Sequence, residues 1–129
     1  MYATFPFVCD FAMAGIRQAL RNRRARKLAR EIAEVKGLAD SYDKERAALL
    51  KEAADHYRTR DMYRAAARDL VARDGEVTCY AVDAYYIAED AGIWYDACHE
   101  RAEDAADNHA NAMYLLEVLE DELHDLTID

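Results

Sequence analysis

Apolar residues recur at intervals of three and four along nearly the whole chain, the spacing of an amphipathic helix. The longest uninterrupted run lies between Trp94 and Leu126. There Trp94, Cys98, Ala105, His109, Ala112, Leu116, Leu119 and Leu123 fall on one stripe, predicted to face a core. Asp96, Glu100, Glu103, Asp107, Asp121 and Asp125 fall on the opposite side, and Arg101 is the only Lys or Arg in the segment.

Four segments precede it. Residues 1–8 hold Phe5, Phe7 and the single proline, and read as a short arm. Over 9–36, Met13, Ile16 and Leu20 start a helical stripe that Leu28, Ile32 and Val35 resume. Gly37 then reads as a helix end, with Asp40 or Ser41 as the next N-cap. Over 40–73, Tyr42, Leu49, Ala53, Tyr57, Tyr63, Ala67 and Leu70 mark a second helix whose surface mixes charges of both signs. Thr59-Arg60-Asp61 is a candidate break in it, and Asp74-Gly75 is a turn signal. Over 76–91 two patterns compete. Val77, Thr78, Val82, Tyr85, Tyr86 and Ile87 favour strand. The alternation of a strand is missing, however, and Val77, Ala81, Ala84 and Ala88 form a helical stripe. Helix is therefore expected, apolar on more than one side, as suits the centre of a bundle. Gly92 is expected to turn or kink the chain into the final helix. The predicted fold is all-α: one helical domain over 1–129, a bundle or elongated hairpin of three to four long helices.

Composition adds the scale of the core. Large apolar and aromatic residues number 39 and alanines 26, so helix faces are thin and helices can approach closely. Four glycines, one proline and one serine leave little material for loops, which favours few long elements with short links. The three cysteines, Cys9, Cys79 and Cys98, are odd in number and widely spaced. No disulfide framework is expected, and a reducing, cytoplasmic setting fits. The apolar start of the chain lacks a basic n-region and is interrupted by Asp10 and Arg17, so neither a signal peptide nor a membrane span is expected.

The net charge of −9 conceals a strong asymmetry. Residues 1–36 hold eight basic and three acidic groups, residues 37–73 eight and seven, and residues 74–129 one and sixteen. Such a layout speaks to partners rather than to fold. The basic run Arg21–Lys27 has five charges in seven positions. Pairing with the acidic helix, in the same chain or another copy, is expected ahead of nucleic-acid binding, which the negative total opposes.

Motifs for chemistry are sparse. Asp96-x-x-His99 and Asp121-x-x-His124 have a spacing that builds metal sites in bundles. With 26 acidic residues in 129, such pairs arise by chance. Cys79 with Cys98 and His99 supplies zinc-type ligands but no Cys-x-x-Cys. There is no Gly-rich phosphate loop or nucleophile elbow, and Ser41 reads as a cap. No enzyme, metal or cofactor is expected. The candidate surfaces are for binding. Asp96, Glu100, Glu103, Asp107, Asp121 and Asp125 form an acidic face, and Tyr85, Tyr86, Trp94 and Tyr95 an aromatic cluster of the kind favoured at interfaces. Phe5, Phe7 and Phe11 are candidates for self-association.

The expected function is non-catalytic: a binding protein whose acidic helical face engages a basic protein surface. Positions i and i+4 lie ~6 Å apart along a helix, near the spacing of successive phosphates. An acidic row of this kind can occupy a groove built for nucleic acid. In size and acidity alone the chain is similar to phage-encoded anti-restriction and anti-CRISPR inhibitors. The alternatives are a self-assembling scaffold, a homo-oligomer held by its basic and acidic parts, and, third, a helical metal-binding bundle.

Overall fold

The computed structural model describes the backbone of residues 5–128 and the side chains of residues 11–128. The side chains of Phe5 and Phe7 lie outside that range. Two helices account for nearly all of it: α1, Phe5–Asp74, of 70 residues, and α2, Cys79–Ile128, of 50. Among the described residues only 75–78 lie outside helix. The chain is all-α, but the expected three to four helices are two.

The difference comes from glycine. Gly37 does not end a helix, and neither Asp40 nor Ser41 caps one. A glycine costs a helix interior only ~1 kcal/mol, and the buried series Ile32, Val35, Ala39 runs straight across it. Gly92 likewise lies within α2, between buried Ala91 and half-buried Tyr95. The Thr59-Arg60-Asp61 step is also helical, with the Thr59 hydroxyl donating back to the Asp55 carbonyl at 3.0 Å. The one real interruption is at Gly75, where φ is +73°. Only there does the backbone enter the left-handed region that glycine tolerates. The Gly75 N–H still donates to the Val71 carbonyl at 2.9 Å, closing the last turn of α1. Thr78 then opens α2: its hydroxyl accepts from the Ala81 N–H at 3.4 Å and its carbonyl from the Val82 N–H at 3.1 Å. This is N-capping by a threonine.

Both helices contribute to two compact units, one built from the segments up to Ala39 and from Ala110, the other from Asp40–His109. In the first unit Leu28, Ile32, Val35 and Ala39 of α1 and Ala112, Leu116 and Leu119 of α2 are buried. In the second, α1 buries Leu49 and Ala53, and α2 buries Ala81, Ala84, Ala88, Ala91, Cys98, Ala102 and Ala105. The buried positions advance by alternating threes and fours, the heptad spacing of helices that pack along a shared seam. The seam of the first unit is Leu, Ile and Val with alanine. That of the second is alanine and Cys98 on the α2 side, with Leu49 and Ala53 buried on α1.

A single seam between two helices covers only a narrow stripe. Trp94, placed on the buried stripe from sequence, is 60% exposed, because the seam passes through Ala91, Tyr95 and Cys98 instead. Val77 is exposed and precedes α2. The segment expected to be a central bundle helix leaves Tyr80, Val82, Tyr85, Tyr86 and Ile87 exposed. Among the described residues no helix is long and apolar enough to cross a membrane.

Candidate functional site

The second unit gathers its polar and aromatic groups midway along the seam. His56 and Arg60 occupy seam positions of α1, three and seven residues after Ala53, where an apolar side chain would be expected. Across from them on α2 are Trp94, Tyr95, Cys98 and His99. The imidazole of His56 stacks on Trp94, with centroids 6.3 Å apart and planes 24° apart. Tyr57 meets Tyr95 at 5.5 Å, and Tyr95 meets His99 edge-on at 4.6 Å. The Arg60 guanidinium lies over the Tyr57 ring at 4.5 Å and within 5.5 Å of the Tyr95 ring, a cation–π arrangement. Arg60 packs against Gly92, where a Cβ would stand 3.4 Å from Arg60 Cδ, the near limit of ordinary contact. Gly92 does not turn the chain. Arg60 Nε is buried without a hydrogen bond among the described residues, its nearest anion being Asp61 Oδ1 at 3.6 Å.

Glu52, His56 and Cys98 converge here, with one ligand-type atom of each lying within 4.8 Å of the others. His56 Nε2 is 3.7 Å from Glu52 Oε1. Cys98 is 4% exposed. Burial pushes its thiol pKa above the ordinary value, the Glu52 carboxylate pushes it further up, and Arg101 pulls it partly back. The thiol therefore stays protonated near neutral pH. Cys79 is exposed and outside the cluster. Neither Asp96–His99 nor Asp121–His124 belongs to a three-ligand group among the described residues.

The sequence-predicted site residues separate into three places. In the second unit Asp96, Glu100, Glu103 and Asp107 are exposed, and none is in an ion pair among the described residues. Tyr85 and Tyr86 are exposed and contact each other edge-on at 6.3 Å. With Val71, Val77, Ala81 and Val82 they line an apolar groove of about 620 Å³ beside the turn. Tyr63, Leu70, Tyr80 and Ile87 line a second groove of about 490 Å³. In the first unit Asp121 and Asp125 are exposed, while their neighbours pair with α1: Glu122 with Arg24 at 3.4 Å and Glu120 with Lys36 at 3.8 Å. The basic run thus meets the acidic helix within one chain. Phe11, with Met13, Ile16 and Leu20, projects from α1, and Phe11 is 78% exposed.

Glu52, His56 and Arg60 escape a reading of the sequence by composition and by ligand spacing within one segment. The signal for them is the heptad register of α1. Once Leu49 and Ala53 are set as seam positions, His56 and Arg60 fall on the same seam and must face α2. No family model, curated protein or solved structure matches the chain.

Proposed function

We propose that the chain is a non-catalytic assembly protein, in which two copies cover each other's apolar flanks beside the Gly75 turn. The observation that carries this reading is the mismatch between what is buried and what is exposed in the second unit. The α2 side of its seam buries alanine and Cys98, while Val77, Tyr80, Val82, Tyr85, Tyr86 and Ile87 face solvent. Each such side chain contributes ~1.5–3 kcal/mol when fully buried. Among the described residues no third element covers them. A second pair of helices laid against the groove supplies one, and a four-helix arrangement buries the stripe that one seam leaves open. The absence of catalysis is supported by the placement of Cys98. It lies in mid-helix, where backbone N–H groups are committed to the helix, so none faces the thiol to hold an oxyanion.

Sedimentation velocity across a concentration series tests the assembly. The parent chain is expected to run as a dimer or larger, and Val82→Glu with Tyr86→Glu to run as a monomer with helicity retained. A parent that stays monomeric at all concentrations overturns the reading.

A second reading rests on a different observation. Asp96, Glu100, Glu103 and Asp107 are exposed and unpaired with any cation among the described residues, which leaves them available to a basic protein surface. Rows of aligned charge act chiefly through association rate and exclusion of a competing polyanion. Affinity capture with the parent, and with all four residues changed to Lys, separates this reading from the first. A basic partner retained only by the parent and released by salt supports it; identical captures by both proteins overturn it.

A further inference from the structure

We propose that Glu52, His56 and Cys98 form a binding site for a borderline-soft divalent cation, Zn²⁺ foremost. The inference is independent of how the chain assembles. It starts from the seam. Ala53 and Ala102 are almost wholly buried, so α1 and α2 approach closely at this level. That brings the short side chain of Cys98 within reach of two groups on α1. Glu52 and His56 are four residues apart, which places them on one face of α1, one turn from each other. The three ligand atoms lie within 4.8 Å of one another, with His56 Nε2 to Glu52 Oε1 at 3.7 Å.

The geometry suits a tetrahedral ion. Zn–S, Zn–N and Zn–O bonds of about 2.0–2.3 Å set ligand-to-ligand separations of roughly 3.3–3.6 Å. The Glu52–His56 edge is already close to that. The remaining edges shorten by rotation of the Glu52 and His56 side chains, which are 58% and 29% exposed and have room to move. Cys98 stays fixed in the seam. The donor set decides the metal. Thiolate with imidazole and a single carboxylate selects zinc or a neighbouring transition ion over Mg²⁺ or Ca²⁺, which require oxygen ligands. Three protein ligands leave a fourth position for water, on the side where Glu52 is exposed. Trp94 stacks on the His56 ring, so movement of His56 onto an ion changes the surroundings of the indole.

The test uses the full-length chain freed of metal. Trp94 is the only tryptophan, so its emission reports directly on the ring stacked against it. Zn²⁺ titration is expected to change Trp94 emission and saturate at one ion per chain. Co²⁺ in its place is expected to give a thiolate-to-cobalt charge-transfer band with the visible absorption of a four-coordinate ion. The band should persist in the Cys9→Ser/Cys79→Ser double variant and vanish in Cys98→Ala. In His56→Gln, affinity should fall by more than the ~10–100-fold that loss of an outer-shell partner costs. If Cys98→Ala loses helicity, His56→Gln decides the matter, because it changes a half-buried side chain. A thiolate band that survives Cys98→Ala, a band that depends on Cys79, or unchanged affinity in His56→Gln overturns the proposal.

Discussion

Ala88 is the most enclosed residue of the second unit, 0% exposed, and Ala88→Leu is the sharpest probe of its seam. Leucine and alanine differ little in helix propensity, so the outcome reports packing across the seam. Two results of opposite sign are possible. If the helices stand apart, the three added carbons fill space and stabilise by ~2.4 kcal/mol, at ~0.8 kcal/mol per buried carbon. If they are in contact, the carbons overpack the seam and destabilise by ~1–3 kcal/mol. The surroundings select the second. Ala88 is wholly enclosed, and long α1 side chains lie at its level, Arg64 paired with Glu89 and Arg60 packed at Gly92, so the space beside its Cβ is already filled. Urea unfolding followed by far-ultraviolet circular dichroism measures the change, with Ala47→Leu, at an exposed position of α1, as the control. The control should move stability by less than ~0.5 kcal/mol. A stabilised Ala88→Leu protein would refute a filled seam at this level.

The glycines should respond oppositely to alanine. Gly37→Ala should stabilise by ~0.5–1 kcal/mol, since Gly37 is helical and nothing lies within 4 Å of a Cβ there. Gly75→Ala should destabilise by ~1 kcal/mol or more because of its φ of +73°; urea midpoints of the two variants test the pair. Thr78→Ala should cost ~0.5–2 kcal/mol through loss of the α2 cap, read as earlier hydrogen exchange in the first turn of α2. Peptide-resolved alkylation of the metal-free protein should modify exposed Cys79 well before buried Cys98. The Cys98 pKa is raised from the ordinary 9.0. The stability it gives the folded state is therefore present below that value and is lost as pH rises through the folded pKa. Alkylation of Cys98 should accelerate over the same alkaline range; equal rates for the two cysteines at neutral pH would contradict its burial.

Helical periodicity was legible because it is a local property: Leu28, Ile32, Val35 and Leu116, Leu119 announce their faces in a few turns of sequence. Helix ends were less so. Gly37 and Gly92 carry the residue type of a terminus, but termination also needs the flanking pattern to stop, and at both sites it continues. At Asp74-Gly75 it does stop, and the turn is where the sequence puts it. Trp94 was misplaced because it lies four residues before Cys98 and so fits a helical stripe, whereas the seam reaches Cys98 from Ala91 through Tyr95. Of the rest of the stripe, Cys98, Ala105, Ala112, Leu116 and Leu119 are buried as expected. The acidic positions could be read as exposed from their charge alone. Glu52, His56 and Cys98 could not be found as a group, since 42 residues of chain separate His56 from Cys98 and only the pairing of α1 with α2 joins them.

One feature of composition underlies both the surface and the site. The α2 side of the seam in the second unit is alanine and cysteine, and that has two consequences. The large side chains of α2 lie outside the seam: Tyr80, Val82, Tyr85, Tyr86 and Ile87 are exposed and line grooves. The small residues also admit side chains of α1: Glu52 and His56 come to Cys98, and Arg60 lies at Gly92 beside two tyrosines. Widening the seam should therefore disturb both together. In Ala88→Leu the proposed groove-to-groove dimer and the Co²⁺ thiolate band should weaken in the same protein. In Val82→Glu/Tyr86→Glu, which changes only exposed residues, the dimer should be lost and the band kept. Loss of the band in that double variant would mean that the ligand set forms only in the assembled state, and that the second unit does not hold its seam unaided.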